Sequence, residues 1–139
     1  MFQDNDAQLE KLKEYGHNLG MAFQLIDDLL DFRGNEEETG KSNATDFKEG
    51  CVTLPLIYLR SQMNDKEQKF LQSRLGNEVT ENEICIIKNW MKEKNVFDQS
   101  KDRAHDYVYQ AEQALKHFAP SSSLNILHYL LKNVIARES

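Results

Sequence analysis

The chain has 139 residues, 40% of them hydrophobic, and a formal net charge of −6 at pH 7. This length and apolar content predict one helical domain, residues 1–139, with a real core. The acidic balance and the lack of a basic face argue against nucleic-acid binding, and two cysteines are too few for a disulfide framework. The longest near-continuous apolar run, Cys51 to Leu59, is too short for a transmembrane segment. With no signal-peptide pattern at the N-terminus, we expect a cytoplasmic protein.

The first predicted element is one long helix that carries an apolar stripe and then an acidic motif. The stripe consists of Leu9, Leu12 and Leu19, and Tyr15 can lie on the same stripe. Residues 20–32 continue without proline, with apolar residues at helical intervals. Glu14 and His17 have the Glu-x-x-His spacing of di-iron bundles, but the chain has no second such motif. We therefore expect helix throughout this segment and no di-iron centre.

Three aspartates lie within the apolar part of this helix. Asp27 and Asp31 are four residues apart and share one face, and Asp28 lies about 100° round the helix and can flank them. Buried carboxylates must be paired or must coordinate a metal, and no lysine or arginine lies between Glu14 and Asp31. Oxygen ligands of this kind suit Mg²⁺. The alternative is an ordinary solvated helix face, on which pairs of aspartates are common.

Two segments after the aspartates add to this picture. Lys41, preceded by Gly40, is a compact cation suited to a phosphate group, although a solvated loop lysine fits the same residues. Thr53 can cap a further helix, with Pro55 tolerated in its first turn. Residues 24–50 contain eight acidic and three basic side chains, so nearly all of the negative charge is concentrated here. Such a concentration favours cation binding.

The remaining chain predicts further helices separated by polar turns. Asn64 and Asp65 cap a helix that ends near Gly76, and Thr80 to Glu83 form a capping box before the next helix. The segment 97–118 places Ala104, Val108, Ala111, Leu115 and Phe118 on one stripe, and Leu124, Leu127, Leu131, Val134 and Ile135 mark a last helix after Pro120. The stripes are expected to form the core. No strand-like alternation occurs, so the predicted fold class is all-α.

The combined order of these motifs resembles the second aspartate-rich region of the trans-isoprenyl (polyprenyl) diphosphate synthases. The residues that carry the resemblance are Gly16, Gly20, Phe23, Gln24, Asp27, Asp28, Leu29, Leu30, Asp31, Gly40, Lys41, Asp46, Gly50, Thr53, Leu54, Pro55 and Leu56. The strong part covers residues 16–59, and the weaker part extends to Arg137. The resemblance implies a helical bundle of the isoprenoid synthase type, of which this chain is the C-terminal half.

The resemblance also implies roles for individual residues. Asp27, Asp28 and Asp31 would bind Mg²⁺ that bridges to an allylic diphosphate, with Asp27 the most direct ligand. The substrate-binding residues would be Phe23, Gln24 and Lys41, with Gln24 facing the substrate and Lys41 contacting the diphosphate. Many members have lysine where this chain has Cys51, to which we assign no role. No residue of the chain is assigned as catalytic.

Members of this family are usually about twice as long, and they carry an earlier aspartate motif that this sequence lacks. The full enzyme would condense isopentenyl diphosphate with an allylic diphosphate. We expect the isolated chain to be inactive and to need the missing N-terminal half, in a homo- or hetero-oligomer. The alternative is a non-catalytic helical subunit or assembly partner. A fragment, a truncated reading frame and one half of a split enzyme all remain open as origins.

Overall fold

The computed structural model describes residues 2–33 and 44–137, and the regular elements in these ranges are all helices. They are α1 (Phe2–Arg33), α2 (Thr45–Lys48), α3 (Leu54–Ser61), α4 (Asp65–Arg74), α5 (Glu81–Glu93), α6 (Val96–Leu115) and α7 (Ser122–Ala136). The predicted all-α class is confirmed. Within the described ranges, every helix is too short or too polar to serve as a membrane span.

The predicted helix starts at Asn64 and Thr80 are confirmed, and the capping box predicted at Thr80 also forms at Asn64. The Asn64 side chain accepts from the backbone N–H of Glu67, and the Glu67 carboxylate accepts from the backbone N–H of Asn64. Thr80 and Glu83 exchange the same pair of bonds at the start of α5. These reciprocal bonds satisfy backbone donors that a helix terminus otherwise leaves without partners.

Two predicted details differ from the structure. Thr53 does lie at the N-cap of α3, but its side chain makes no capping bond, and its buried Oγ1 has no hydrogen-bond partner in the described part of the chain. Pro55 in the first turn removes one of the N–H groups that such an oxygen would accept from. The helix predicted to reach Phe118 ends at Leu115, where Phe118 N–H donates to the Leu115 carbonyl in a tight turn before Pro120.

The described helices divide between two compact units, and α1 contributes to both. One unit contains the chain up to Ile26 and from Asp102 onward. In it Tyr15 is buried and its hydroxyl donates to the Leu127 carbonyl at 2.8 Å, and burial raises the pKa of this phenol. Leu9 and Leu12 are half exposed, so the predicted core stripe is wrong for these two residues. They precede Tyr15, the first buried residue of the helix, by six and three positions.

The other unit, Asp27–Lys101, has its own hydrophobic core. Phe32 at the end of α1 and Phe47 in α2 meet edge to face, with ring centroids 6.4 Å apart. The core consists of Phe32, Ala44, Phe47, Leu56, Leu59, Met63, Leu71, Ile84, Ile87, Met91 and Val96. Because Phe32 directly follows Asp31 and Phe47 directly follows Asp46, their burial fixes the end of α1 against α2.

Two glycines lock the chain after α2 to the turn after α4. Gly50 and Gly76 both have positive φ, 81° and 69°. A Cβ built on Gly76 would lie only 3.1 Å from the Gly50 Cα, and Gly76 N–H donates to the Phe47 carbonyl at 3.0 Å. Only glycine combines this left-handed conformation with such a close backbone approach. The contact holds the exit of α2, and with it the acidic residues described below, against the rest of this unit.

Candidate metal centre

The last two turns of α1 present the three predicted aspartates in different environments. Asp27 is exposed, Asp31 is partly buried, and Asp28 is 7% exposed. The sequence predicted that all three lie on a core-facing stretch, and this description fits Asp28 best. Asp27 is therefore the carboxylate with the freest access to an ion or ligand from solvent.

Asp31 forms a bridge from α1 to the start of α2. Its Oδ1 accepts from the backbone N–H of Thr45 and its Oδ2 accepts from that of Asp46, both at 3.0 Å. The Ala44 N–H donates to the Asp31 carbonyl, also at 3.0 Å. Ala44 is the N-cap of α2 and has no side-chain oxygen, so the Asp31 carboxylate does the capping from a distance. A carboxylate oxygen with one such bond keeps a lone pair for a cation.

Asp46 thereby joins the aspartates of α1. Burial raises the pKa of the Asp46 carboxyl, and the negative charges of Asp31, Asp27 and Glu49 raise it further. The lysine of the same short helix, Lys48, forms an ion pair with Glu81 at 3.4 Å. Because part of this rise comes from surrounding carboxylates, the local potential is negative, which is the condition that attracts a cation.

Asp46 also lies close to two side chains that follow it in the chain. Ligand atoms of Asp46, Glu49 and Cys51 all lie within 4.8 Å of one another. The Cys51 backbone N–H donates to the Asp46 carbonyl at 2.8 Å, which closes the chain at the end of α2. Carboxylate oxygens suit Mg²⁺ whereas a thiol does not, so Asp46 and Glu49 extend the oxygen-donor set and Cys51 does not.

Sequence reasoning missed Asp46 and Glu49 as members of this cluster. Asp46 lies 15 residues beyond Asp31, and no helical periodicity relates the two positions. The charge of residues 24–50 does indicate that the whole segment is acidic, but it cannot show which of the acidic side chains lie close together.

The predicted substrate-binding residues are found in two other places. Phe23 and Gln24 lie on α1 within the first unit, both exposed, and the Arg137 guanidinium stands over the Phe23 ring at 4.3 Å from its centroid. Phe23 also lines a largely apolar groove of about 640 Å³ together with Leu19, Gly20 and Leu130. Lys41 falls outside the described residues, so its predicted role stays a prediction.

Known proteins match this chain over most of its length. The polyprenyl synthetase family model matches residues 1–92. A geranylgeranyl diphosphate synthase of Saccharolobus solfataricus is 34% identical over 135 residues, which cover 96% of this chain and 41% of that protein. Component 2 of a heptaprenyl diphosphate synthase of Geobacillus stearothermophilus is 32% identical over 103 residues, covering 74% of this chain and 31% of that protein.

A solved structure agrees with these sequence relatives. The polyprenyl synthase of Caulobacter crescentus, in complex with calcium and isoprenyl diphosphate, superposes with a TM-score of 0.75 at 35% identity. The match covers 96% of this chain and 40% of that one. The predicted isoprenoid synthase type of fold is thus confirmed, and the chain spans about two fifths of the length of its relatives.

Proposed function

Because this chain belongs to the polyprenyl synthetase family, we propose that it supplies the second Mg²⁺-diphosphate-binding cluster of a trans-prenyltransferase. The observation that carries the proposal is the convergence of carboxylates from α1 and α2. Asp31 accepts from the backbone N–H groups of Thr45 and Asp46, and ligand atoms of Asp46 and Glu49 lie within 4.8 Å of each other. Like charges that lie close together destabilise a folded protein, and a bound cation relieves this repulsion.

The donor set of the cluster fits Mg²⁺. This ion prefers oxygen ligands, binds through one or two carboxylates and takes further oxygens from phosphate and water. The exposed carboxylate of Asp27 can serve as the direct ligand. Asp31, held by the Thr45 and Asp46 N–H groups, is pre-oriented and loses little freedom on binding.

The other residues have supporting roles in the proposal. Asp28 is proposed to act with Asp27 although it is only 7% exposed, and Asp46 adds an oxygen donor that the aspartate motif itself does not include. Gln24 and Lys41 are proposed to contact the substrate, as the resemblance implies.

The reaction proposed for the whole enzyme condenses an allylic diphosphate with isopentenyl diphosphate. When bound, Mg²⁺ would neutralise the diphosphate as it leaves. The carboxylates of this chain would fix the place where that charge is neutralised, and their contribution is electrostatic.

The chain covers about two fifths of its relatives, and one relative is named as a component of a synthase. The second observation supports a subunit that acts together with a second polypeptide, and the alternative is a helical assembly partner without activity of its own. In either case, we propose an oligomer with a second polypeptide or with copies of this chain. A cytoplasmic location is likewise a proposal.

Calorimetric titration of the chain with inorganic diphosphate in Mg²⁺ tests this function. We expect binding that needs Mg²⁺, that is lost in Asp27→Asn and that is kept in Asp6→Asn, an exposed aspartate near the start of the same helix. Turnover of the two prenyl substrates should be absent until the missing half is added.

Absence of Mg²⁺-dependent binding in the unaltered chain would favour the inactive assembly partner. Product formed by the isolated chain would contradict the proposed dependence on a second half. Equal loss of binding in Asp27→Asn and Asp6→Asn would show that the effect is one of overall charge and not of this site.

A further inference from the structure

The helix α2 is too short to hold its own position. It has only four residues, Thr45–Lys48, and its N-cap, Ala44, offers no side-chain acceptor. A helix of this length does not persist by itself in water, because nucleating the first turn costs more than its few hydrogen bonds return. The place of α2, and of the Asp46 carboxylate in its first turn, is therefore set by contacts with the rest of the Asp27–Lys101 unit.

Asp31 makes the contacts that fix the start of this helix. Its carbonyl oxygen and its two carboxylate oxygens each accept one hydrogen bond, from the backbone N–H groups of Ala44, Thr45 and Asp46 in turn. All three distances are 3.0 Å. Phe47, the next residue, anchors the helix in the core. One residue of α1 thus holds the three successive backbone N–H groups of the segment that carries the Asp46 carboxylate.

The carboxylates of Asp31 and Asp46 differ in what they leave open to a ligand. Both oxygens of Asp31 already accept a backbone N–H. The Asp46 carboxylate has no hydrogen bond or ion pair with any residue in the described ranges 2–33 and 44–137. The negative charges of Asp31 and Asp27 repel it. Without the three bonds of Asp31, this repulsion would move Asp46 away from the aspartates of α1.

We propose that Asp31 is a positioning residue of the metal centre, which holds the Asp46 carboxylate where it can share a cation with the aspartates of α1. The inference rests on the proposed function, since it concerns the same cluster. Residues that orient a metal ligand commonly matter nearly as much for affinity as the ligand itself. Any direct contact of Asp31 with the ion would come in addition. It follows that Asp46 contributes to binding only while Asp31 holds it.

A double-mutant cycle, measured by calorimetric titration with inorganic diphosphate in Mg²⁺, tests this dependence. We expect Asp46→Asn to weaken binding about tenfold in the unaltered chain, as the loss of a group in a metal site commonly does. The same substitution made in Asp31→Asn should weaken binding less than about twofold, because the two losses are coupled and do not add. Glu49→Gln is the matched control. It removes a charge from the same cluster and leaves the bonds of Asp31 in place, so Asp46→Asn should keep its full effect in that background.

Amide hydrogen exchange supplies an independent readout that needs no metal. The N–H groups of Thr45 and Asp46 should exchange slowly in the unaltered chain and at least about tenfold faster in Asp31→Asn, because a lost bond opens them to water. Asp27→Asn removes a charge one turn earlier, leaves these bonds in place and should not speed their exchange. A general loss of stability would also speed exchange in α5, which should keep its rate.

The inference is overturned if Asp46→Asn weakens binding equally with and without the Asp31 carboxylate. Rapid exchange of the Thr45 and Asp46 N–H groups in the unaltered chain would also overturn it, without any substitution. Both outcomes leave the proposed function in place as long as the unaltered chain binds diphosphate with Mg²⁺. Absence of that binding would overturn the proposed function, and the role of Asp31 in metal binding with it.

Discussion

At the scale of single residues, Asp31 shows how one carboxylate serves folding and the proposed binding site together. The sequence predicted it as a metal ligand from its spacing to Asp27, and the structure adds that it caps α2 through two backbone N–H groups. This second role could not be predicted, because the capped helix begins 14 residues later and its own N-cap is Ala44. Substituting Asp31 would therefore alter the fold as well as binding, and Asp27 is the cleaner probe.

Asp46 gives the sharpest prediction at this scale. Its pKa is raised in the folded protein, so the folded state holds this proton more tightly than the unfolded chain does. Ionisation of this carboxyl therefore lowers the stability of the folded protein. The loss is absent at a pH below the ordinary pKa of 3.8 and is complete at a pH above the raised pKa. At neutral pH without divalent cations, Asp46→Asn should therefore be more stable than the unaltered chain, by less than about 1 kcal/mol because solvent screens partly exposed charges.

Thermal unfolding with and without Mg²⁺ measures this effect. The ion should stabilise the unaltered chain more than Asp46→Asn, and the advantage of the variant should disappear in acid. Asp102→Asn, an exposed aspartate on α6, should show neither behaviour. A variant that is less stable at neutral pH in EDTA would contradict the assignment of Asp46 to a repelling cluster.

At the scale of elements, the sequence predicted helices well wherever the signals that start and end them are local. Asn64 and Thr80 each meet their partner three residues later, so both capping boxes could be read from neighbouring residues. The helix α2 was missed because four residues carry no usable periodicity and its cap comes from Asp31. Thr53 was placed correctly at a helix start, but its missing capping bond depends on Pro55 and on burial.

The two threonines should respond differently to substitution. Thr80→Ala removes a capping acceptor and should lower the free energy of unfolding by about 1 kcal/mol. Thr53→Val replaces a buried hydroxyl that has no partner in the described part of the chain, so it should be neutral or slightly stabilising. Urea unfolding of both variants beside the unaltered chain measures the difference. A larger loss in Thr53→Val would mean that its hydroxyl does bond in solution.

At the scale of the whole molecule, the distribution of charge along the sequence predicted an acidic region. Which carboxylates of that region lie close together became clear only from the tertiary contacts of Asp46. The apolar pattern of the C-terminal helix also did not separate the residues of the core from those of the surface. In α7, for example, Leu131 and Val134 are buried, while Ile126, Tyr129 and Leu130 are more than two fifths exposed. A sequence stripe cannot show which apolar residues a helix buries when several of its faces are apolar.

This exposed surface predicts self-association of the isolated chain. Apolar side chains gain free energy when they leave water, and contiguous exposed groups of them commonly mark interfaces. Light scattering should find a species larger than the 16.2 kDa monomer. Ile126→Lys combined with Tyr129→Lys should reduce association, whereas Lys132→Arg on the same helix should not. A monodisperse monomer of the unaltered chain would refute this expectation.

The contact between Gly50 and Gly76 limits which amino-acid substitutions this protein can accept during evolution. The obstacle at each position is the backbone of the other, and shortening a side chain cannot relieve it because neither residue has one. A substitution at one glycine therefore has no compensating partner at the second. Residues in contact can often be substituted together during evolution, because a change in one side chain compensates for a change in the other. This pair should instead remain fixed at both positions or lose the junction between α2 and α4 altogether.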